Sequence, residues 1–237
     1  MNPSKRIWMI IIAGVAVWLA NSSYLCEAEM VKDGQAWRES FTADKANLAH
    51  TGRNTYFILQ PGHRMYLEHG KDTLVITVLD ETKVVDGVLT RVVEERETEG
   101  GQLTEVSRNY FAIDKSTGEV YYFGEDVDTY KNGRVTGHEG AWLSGVKGAR
   151  FGLMMPAKPM VGDRYYQEIA PGVAMDRAEI VSVAENAKVP AGTFRDCLRT
   201  RESSALESGS EDKWYAPEVG LIRDAEFVLA KVEKAHP

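Results

Sequence analysis

The chain has 237 residues, of which 43% are apolar and 27% charged, and it carries a net charge of −7. That balance can bury a core and excludes an intrinsically disordered chain. An acidic total with no long Lys/Arg run also argues against a nucleic-acid binder and against a protein that rides on an acidic membrane surface.

The first 28 residues read as an export signal. Lys5 and Arg6 precede the apolar run Ile7–Ala20, and small residues suited to cleavage follow at Ala20-x-Ser22 and Cys26-x-Ala28. The run of fourteen residues reaches about 21 Å as a helix, short of a hydrocarbon core of roughly 30 Å. The expected location is therefore outside the cytoplasm, with membrane contact only through this segment; an uncleaved anchor and a lipidated Cys26 are the alternatives. If Cys26 survives cleavage, it and Cys197 can pair in an oxidising compartment. Residues 29–52 form an N-terminal segment, and Gly34 to Glu39 allow a short helix near 34–48.

Strand signals dominate after residue 50. Leu74–Leu79 and Val88–Val93 are β-branched runs around Asp86-Gly87, a pair that favours a type I′ hairpin because both residues tolerate positive φ. Glu99-Gly100-Gly101 and Ser116-Thr117-Gly118 punctuate strands expected near 103–113 and 119–124. Asn132-Gly133 predicts a second type I′ hairpin. Further strands are expected near 164–169, 176–186, 193–203, 210–216 and 219–230.

The chain also repeats itself. Gly62-His63-Arg64-Met65-Tyr66-Leu67-Glu68 returns as Gly162-Asp163-Arg164-Tyr165-Tyr166-Gln167-Glu168, a spacing of 100 residues. Lys83 to Gly87 return as Lys188 to Gly192, Arg96-Glu97 as Arg201-Glu202, and Tyr110 as Tyr215, at a spacing of 105. We read two copies of one unit, 53–124 and 161–230, joined by an insert over 125–160. Each copy supplies about four strands, which is thin for independent stability. The expected fold is therefore all-β: an antiparallel meander from a tandem duplication, barrel-like or two packed sheets, with both copies in one domain around a shared core. In each copy Arg and Glu stand four apart (Arg64 and Glu68, Arg164 and Glu168), which in one continuous strand puts them on the same face as an ion pair.

Catalytic signatures are absent: no G-x-S-x-G elbow, no phosphate-binding G-x-x-x-x-G-K-[ST] loop, no H-E-x-x-H helix. No catalytic residue and no cofactor can be named, and an enzyme is the less favoured class. A cavity between two related β units is a standard ligand site. Its expected lining is Trp142, Phe151, Met154, Met155, Tyr166 and Met175, with Arg164, Glu168 and Asp176 as polar anchors. The alternative is a divalent-metal site on the 125–139 hairpin, where Asp126, Asp128, His138 and Glu139 offer oxygen and imidazole ligands.

Several stretches carry a resemblance. Tyr122 to Val127, Gly137 to Trp142, Leu153 to Pro156, Val161 to Glu168 and Pro190 to Phe194 look like signature stretches of a family of secreted bacterial β-rich proteins. The likeness covers roughly residues 53–230. It implies a bacterial origin and a periplasmic or secreted location, and it brings no reaction and no catalytic residue. The function expected is non-catalytic binding of a small or lipid-like ligand or of a protein partner. An accessory subunit of an exported complex is the other reading.

Overall fold

Two-residue turns set the scaffold. Asp86 and Gly87 both adopt positive φ (49° and 76°), as do Asn132 and Gly133 (53° and 73°). Turns of that hand match the twist of the strands they join, so long hairpins can form on either side. The computed structural model describes residues 36–235. The export signal and Cys26 lie outside them.

The strands are β1 (Leu48–Ala49), β2 (Gly52–Asn54), β3 (Phe57–Leu59), β4 (Arg64–His69), β5 (Asp72–Val85), β6 (Val88–Glu99), β7 (Gln102–Asp114), β8 (Val120–Lys131) and β9 (Arg134–Gly137). They continue as β10 (Trp142–Leu143), β11 (Arg150–Met155), β12 (Arg164–Tyr166), β13 (Glu168–Ile169), β14 (Asp176–Val189), β15 (Gly192–Ser204), β16 (Glu211–Ala216), β17 (Gly220–Asp224) and β18 (Phe227–Glu233). One large antiparallel sheet runs β12-β14-β15-β16-β17-β18-β4-β5-β6-β7-β8-β11-β13. Its two terminal strands, β12 and β13, are separated by Gln167 alone, so the sheet curls into a nearly closed barrel. The fold is all-β, as expected, and of the two forms the sequence left open it is the barrel.

Bulges help the sheet to curl. The β5–β6 ladder slips between Val78 and Thr82, and β14–β15 slips between Ile180 and Ala187. Extra residues at such points bend a strand and tighten its twist. The approach to each of these hairpins is alike. Gly62 N donates to Val78 O while Val78 N donates to His63 O, and Gly162 N donates to Ile180 O while Ile180 N donates to Asp163 O, all at 2.9 Å.

One half of the interior is apolar. Tyr121, Phe123, Leu153, Met155, Ile180, Leu198 and Ile222 are fully buried. Phe111 stacks on Tyr122 at 4.7 Å and Phe123 on Phe151 at 4.8 Å. The separate β2–β3 hairpin covers this half: Tyr56 and Leu59 join the core, and Phe57 meets Phe111 edge-on at 5.0 Å. Asn54 Nδ2 donates to the carbonyls of Gly118 (2.9 Å) and Pro156 (3.0 Å), which fixes the hairpin to the barrel.

Four expectations change. Residues 36–44 form no α-helix; a 3₁₀ turn at Lys45–Asn47, capped by the Asp44 side chain, is the helical structure there. The competing interaction is strand pairing. Arg38 N donates to Arg164 O and Tyr166 N donates to Arg38 O, which holds residue 38 extended beside β12. The guanidinium groups of Arg164 and Arg177 lie over the Trp37 ring there, 5.3 and 4.5 Å from its centroid. Strand β8 runs through Lys131 instead of ending near 124, because residues 125–129 continue the ladder with β7. The single strand expected over 219–230 is two, β17 and β18, turned by Ala225 at φ 46°. Finally, neither Arg–Glu pair forms within its copy. Arg64 bonds Thr77 and Tyr66, and Arg164 pairs with Glu179, since the break between β12 and β13 sends Glu168 to the inside.

Gly152 marks the tightest part of the barrel closure. A Cβ there would stand 2.5 Å from the Gln167 carbonyl carbon and 2.6 Å from Tyr166 O. Gly152→Ala should therefore cost about 1–3 kcal/mol and lower the thermal midpoint by several degrees, as measured by calorimetry.

Candidate functional site

The other half of the barrel interior is acidic. Strand register gathers its carboxylates: Glu97 faces Glu105 across β6–β7, Asn109 faces Glu125 across β7–β8, and Glu202 faces Glu211 across β15–β16. Glu168 on β13 and Asp176 on β14 adjoin them, with the Asp176 N donating to Glu168 Oε1 at 3.3 Å. Asp224 on β17 is paired in register with Lys213 on β16.

Lys213 Nζ lies 3.3 Å from Glu202 Oε2, 3.4 Å from Asp224 Oδ2 and 3.9 Å from Glu211 Oε1. Burial acts to lower its pKa, but Asp224 and Glu202 outweigh that and hold the ammonium charged. Glu202 Oε1 is further bound by Thr200, Gln167 and Tyr215 at 3.1–3.3 Å. On the facing wall, Glu95 and Glu105 have no ion-pair partner among the described residues.

Crowding has an electrostatic cost, and the carboxyls meet it by keeping their protons. Burial raises Glu95 to about 7, with Lys213 opposing and Glu97, Asp224 and Glu105 adding to the rise. Glu105 is raised to about 7 by burial and Glu97. Glu211 also reaches about 7, by burial and against the pull of Lys213. Glu125 goes to about 8, by burial and then by Glu95. Burial pushes Glu168 well above the carboxylate range, and the neighbouring Asp176 and Glu125 add to it.

Where the two halves meet there is a cavity of about 80 Å³. Glu95, Lys213 and Asp224 border it on one side; Phe57, Ile76, Val78, Phe111, Met154 and Leu221 are among its apolar walls. Asp224 is 4% exposed, and its Oδ1 has no hydrogen-bond partner. A second concavity, about 580 Å³, lies outside the barrel along Arg38, Glu119, Lys158, Asp163 and Arg164. It is the larger of the two, and the buried Leu153 and Tyr165 are among its lining residues. Its Arg38 and Arg164 are already paired with Glu119 (3.9 Å) and Glu179 (3.1 Å).

The residues expected to line one site are divided by the fold. Met154 borders the inner cavity, and Glu168 and Asp176 belong to the acidic wall. Arg164 lies in the outer groove. Trp142 meets Tyr122 edge-on at 5.3 Å, Phe151 lies on Phe123, and Met155 is in the core. Tyr166 packs against Trp37 at 6.3 Å, and Met175 is half-buried at the start of β14, its carbonyl accepting from Ala205 N. Glu95, Glu105, Glu125, Glu202, Glu211, Lys213 and Asp224, which form the acidic half, are not among the residues expected from the sequence.

The 125–139 hairpin brings Asp128 and His138 together, Oδ1 to Nδ1 at 3.0 Å. Asp126 is held by Lys83 (2.7 Å) and Tyr110, while Asp128 also faces Arg108 at 3.8 Å. Glu139 is exposed. Among the described residues no group of three or more His, Cys, Asp or Glu side chains is arranged to hold a metal ion. Cys197 is a free thiol in the core.

No family model matches the chain, and no curated protein matches it either. A similar solved structure, described as that of "a putative lipoprotein from Parabacteroides distasonis ATCC 8503", shares 14% identity over 77% of this chain and 100% of its own length, with a TM-score of 0.37. A likeness at that level carries no inference about this chain.

The raised carboxyls fix the sign of a pH effect. Between their unfolded value near 4.5 and folded values of about 7 to 8, the folded state binds more protons than the unfolded one, so stability falls as pH rises. The thermal midpoint should be higher at pH 5 than at pH 8, and Glu125→Gln should flatten that slope; a midpoint that rises toward pH 8 would contradict the assignment.

Proposed function

We propose that the protein is an exported, non-catalytic binding protein that holds a small ligand inside the barrel, where the acidic half meets the apolar half. The observation that carries this reading is Asp224. Its carboxylate is buried beside the inner cavity with one oxygen lacking a partner. Leaving a buried acceptor unsatisfied costs roughly 1–3 kcal/mol, more when it is charged, and a ligand that donates to that oxygen offsets the cost.

Size narrows the ligand. Pockets that take drug-sized molecules run to about 300–1,000 Å³, and a cavity of about 80 Å³ accommodates only a few water-sized groups, at roughly 30 Å³ each. A lipid tail does not fit, so the small-ligand form of the reading is the one supported. Binding is favoured over reaction because no histidine among the described residues borders the cavity, and two of the rings are engaged elsewhere: His63 Nε2 donates to Val219 O at 2.8 Å, and His138 Nδ1 contacts Val127 O at 2.9 Å. Export rests on the charged start and short apolar run of residues 5–20.

A ligand-observed NMR screen with small polar fragments tests this. Fragments should bind the intact protein and weaken in Met154→Phe, which puts a bulkier, stiffer side chain on one wall of the cavity. A library without binders, or binders that ignore the substitution, would count against it.

A further inference from the structure

Resting on that reading of the cavity, we propose that its ligand is a short alkylammonium ion, with the cationic head between Glu95 and Asp224 and the alkyl chain against Phe57, Phe111 and Ile76. All five residues border the same space. The cavity is amphipathic: carboxylates on one side, aromatic and aliphatic side chains on the other. A primary ammonium with a few methylenes matches both sides at once.

The protein shows what this wall accepts. Lys213 is itself a primary ammonium on an alkyl stem, and three carboxylates converge on it at 3.3–3.9 Å. Asp224 gives Oδ2 to that ammonium and leaves Oδ1 without a partner. Glu95 lies on the facing strand close enough to sense both Lys213 and Asp224. A second ammonium between Glu95 and Asp224 Oδ1 would repeat the arrangement that Lys213 already makes.

Other cations fit less well. Ca²⁺ needs six to eight oxygen ligands, and the described residues contain no group of three or more acidic or imidazole side chains placed for a metal. An inorganic cation would also leave the apolar wall unused. Phe57 and Phe111 favour an organic cation, because they offer apolar surface on which its alkyl part is buried.

Binding should be pH-dependent, because the ammonium needs ionised carboxylates. The groups around Glu95 are Glu97 on its own strand β6, Glu105 on β7, Glu125 on β8, Lys213 on β16 and Asp224 on β17; β5 presents Ile76. Four of these are carboxyls that compete for protons with Glu95, so acid should displace the ligand.

Titration calorimetry on the full chain tests the assignment, with ethylammonium, ethanol and acetate as probes of matched size. Ethylammonium should bind, weaken at least tenfold in Asp224→Asn and in Glu95→Gln, and weaken at pH 5.5 relative to pH 8. Glu226→Gln, an exposed position, should leave it unchanged. An Nα-acetyl-lysine amide arm separates sources of the same chemistry: binding by both means the site also takes a lysine side chain, and binding by ethylammonium alone means a free amine. Ethanol binding as well as ethylammonium, with both lost in Met154→Phe, would overturn the ammonium while leaving the cavity a ligand site. Absence of binding by every probe, in a fragment screen as well, would overturn both. Because Asn and Gln are near-isosteric here, each variant's thermal midpoint will show whether it is folded.

Discussion

The ammonium of Lys213 is the point on which the acidic half of the barrel is balanced. Glu202, Glu211 and Asp224 approach it within 4 Å, and in a medium less polar than water each such contact is worth more than on a surface. Removing one partner of a buried pair typically costs 3–5 kcal/mol, because the other charge stays behind without compensation. The facing carboxyls, Glu95, Glu105 and Glu125, make no ion pair among the described residues and settle the conflict by holding protons near neutral pH. Strand register could not bring so many acids together unless both devices operated, one by pairing and one by protonation.

The apolar half supplies the stability that the acidic half lacks. Stacked aromatics, the β2–β3 plug and the fully buried residues of β8, β11, β15 and β17 form a conventional core there. An aromatic pair adds about 0.5–1.5 kcal/mol beyond its burial. The insert takes part in this: β11 completes the sheet beside β8, and Trp142 packs on Tyr122. Segments that look like a loop in the sequence are therefore walls of the barrel. The cavity lies at the boundary of the two halves, the one place where apolar and charged groups face the same space.

Turn chemistry and alternation made the fold legible. Asp86-Gly87 and Asn132-Gly133 specify their turns through residues that accept positive φ, and the β-branched runs mark the strands between them. No α-helix forms near 34–48 because Arg38 is held extended by Arg164 and Tyr166, partners far away in sequence that local propensity does not register. The acidic half was hidden for a different reason. Glu94-Glu95-Arg96-Glu97 reads as a polar strand exposed on both faces. Only closure of the sheet turns Glu95 inward while Arg96 stays out. Glu168 stands out because it repeats Glu68, whereas Lys213 and Asp224 lie in ordinary-looking strands.

The short strap at Trp37 and Arg38 has a consequence for how molecules of this protein meet each other. By bonding to Arg164 and Tyr166 it occupies the outer rim of β12, where a neighbour's backbone would otherwise find free donors and acceptors. Open rims of this kind recruit strands from other chains. A chain shortened to begin after Ser40 would lose that cover, and self-association through β12 would then compete with a solitary barrel.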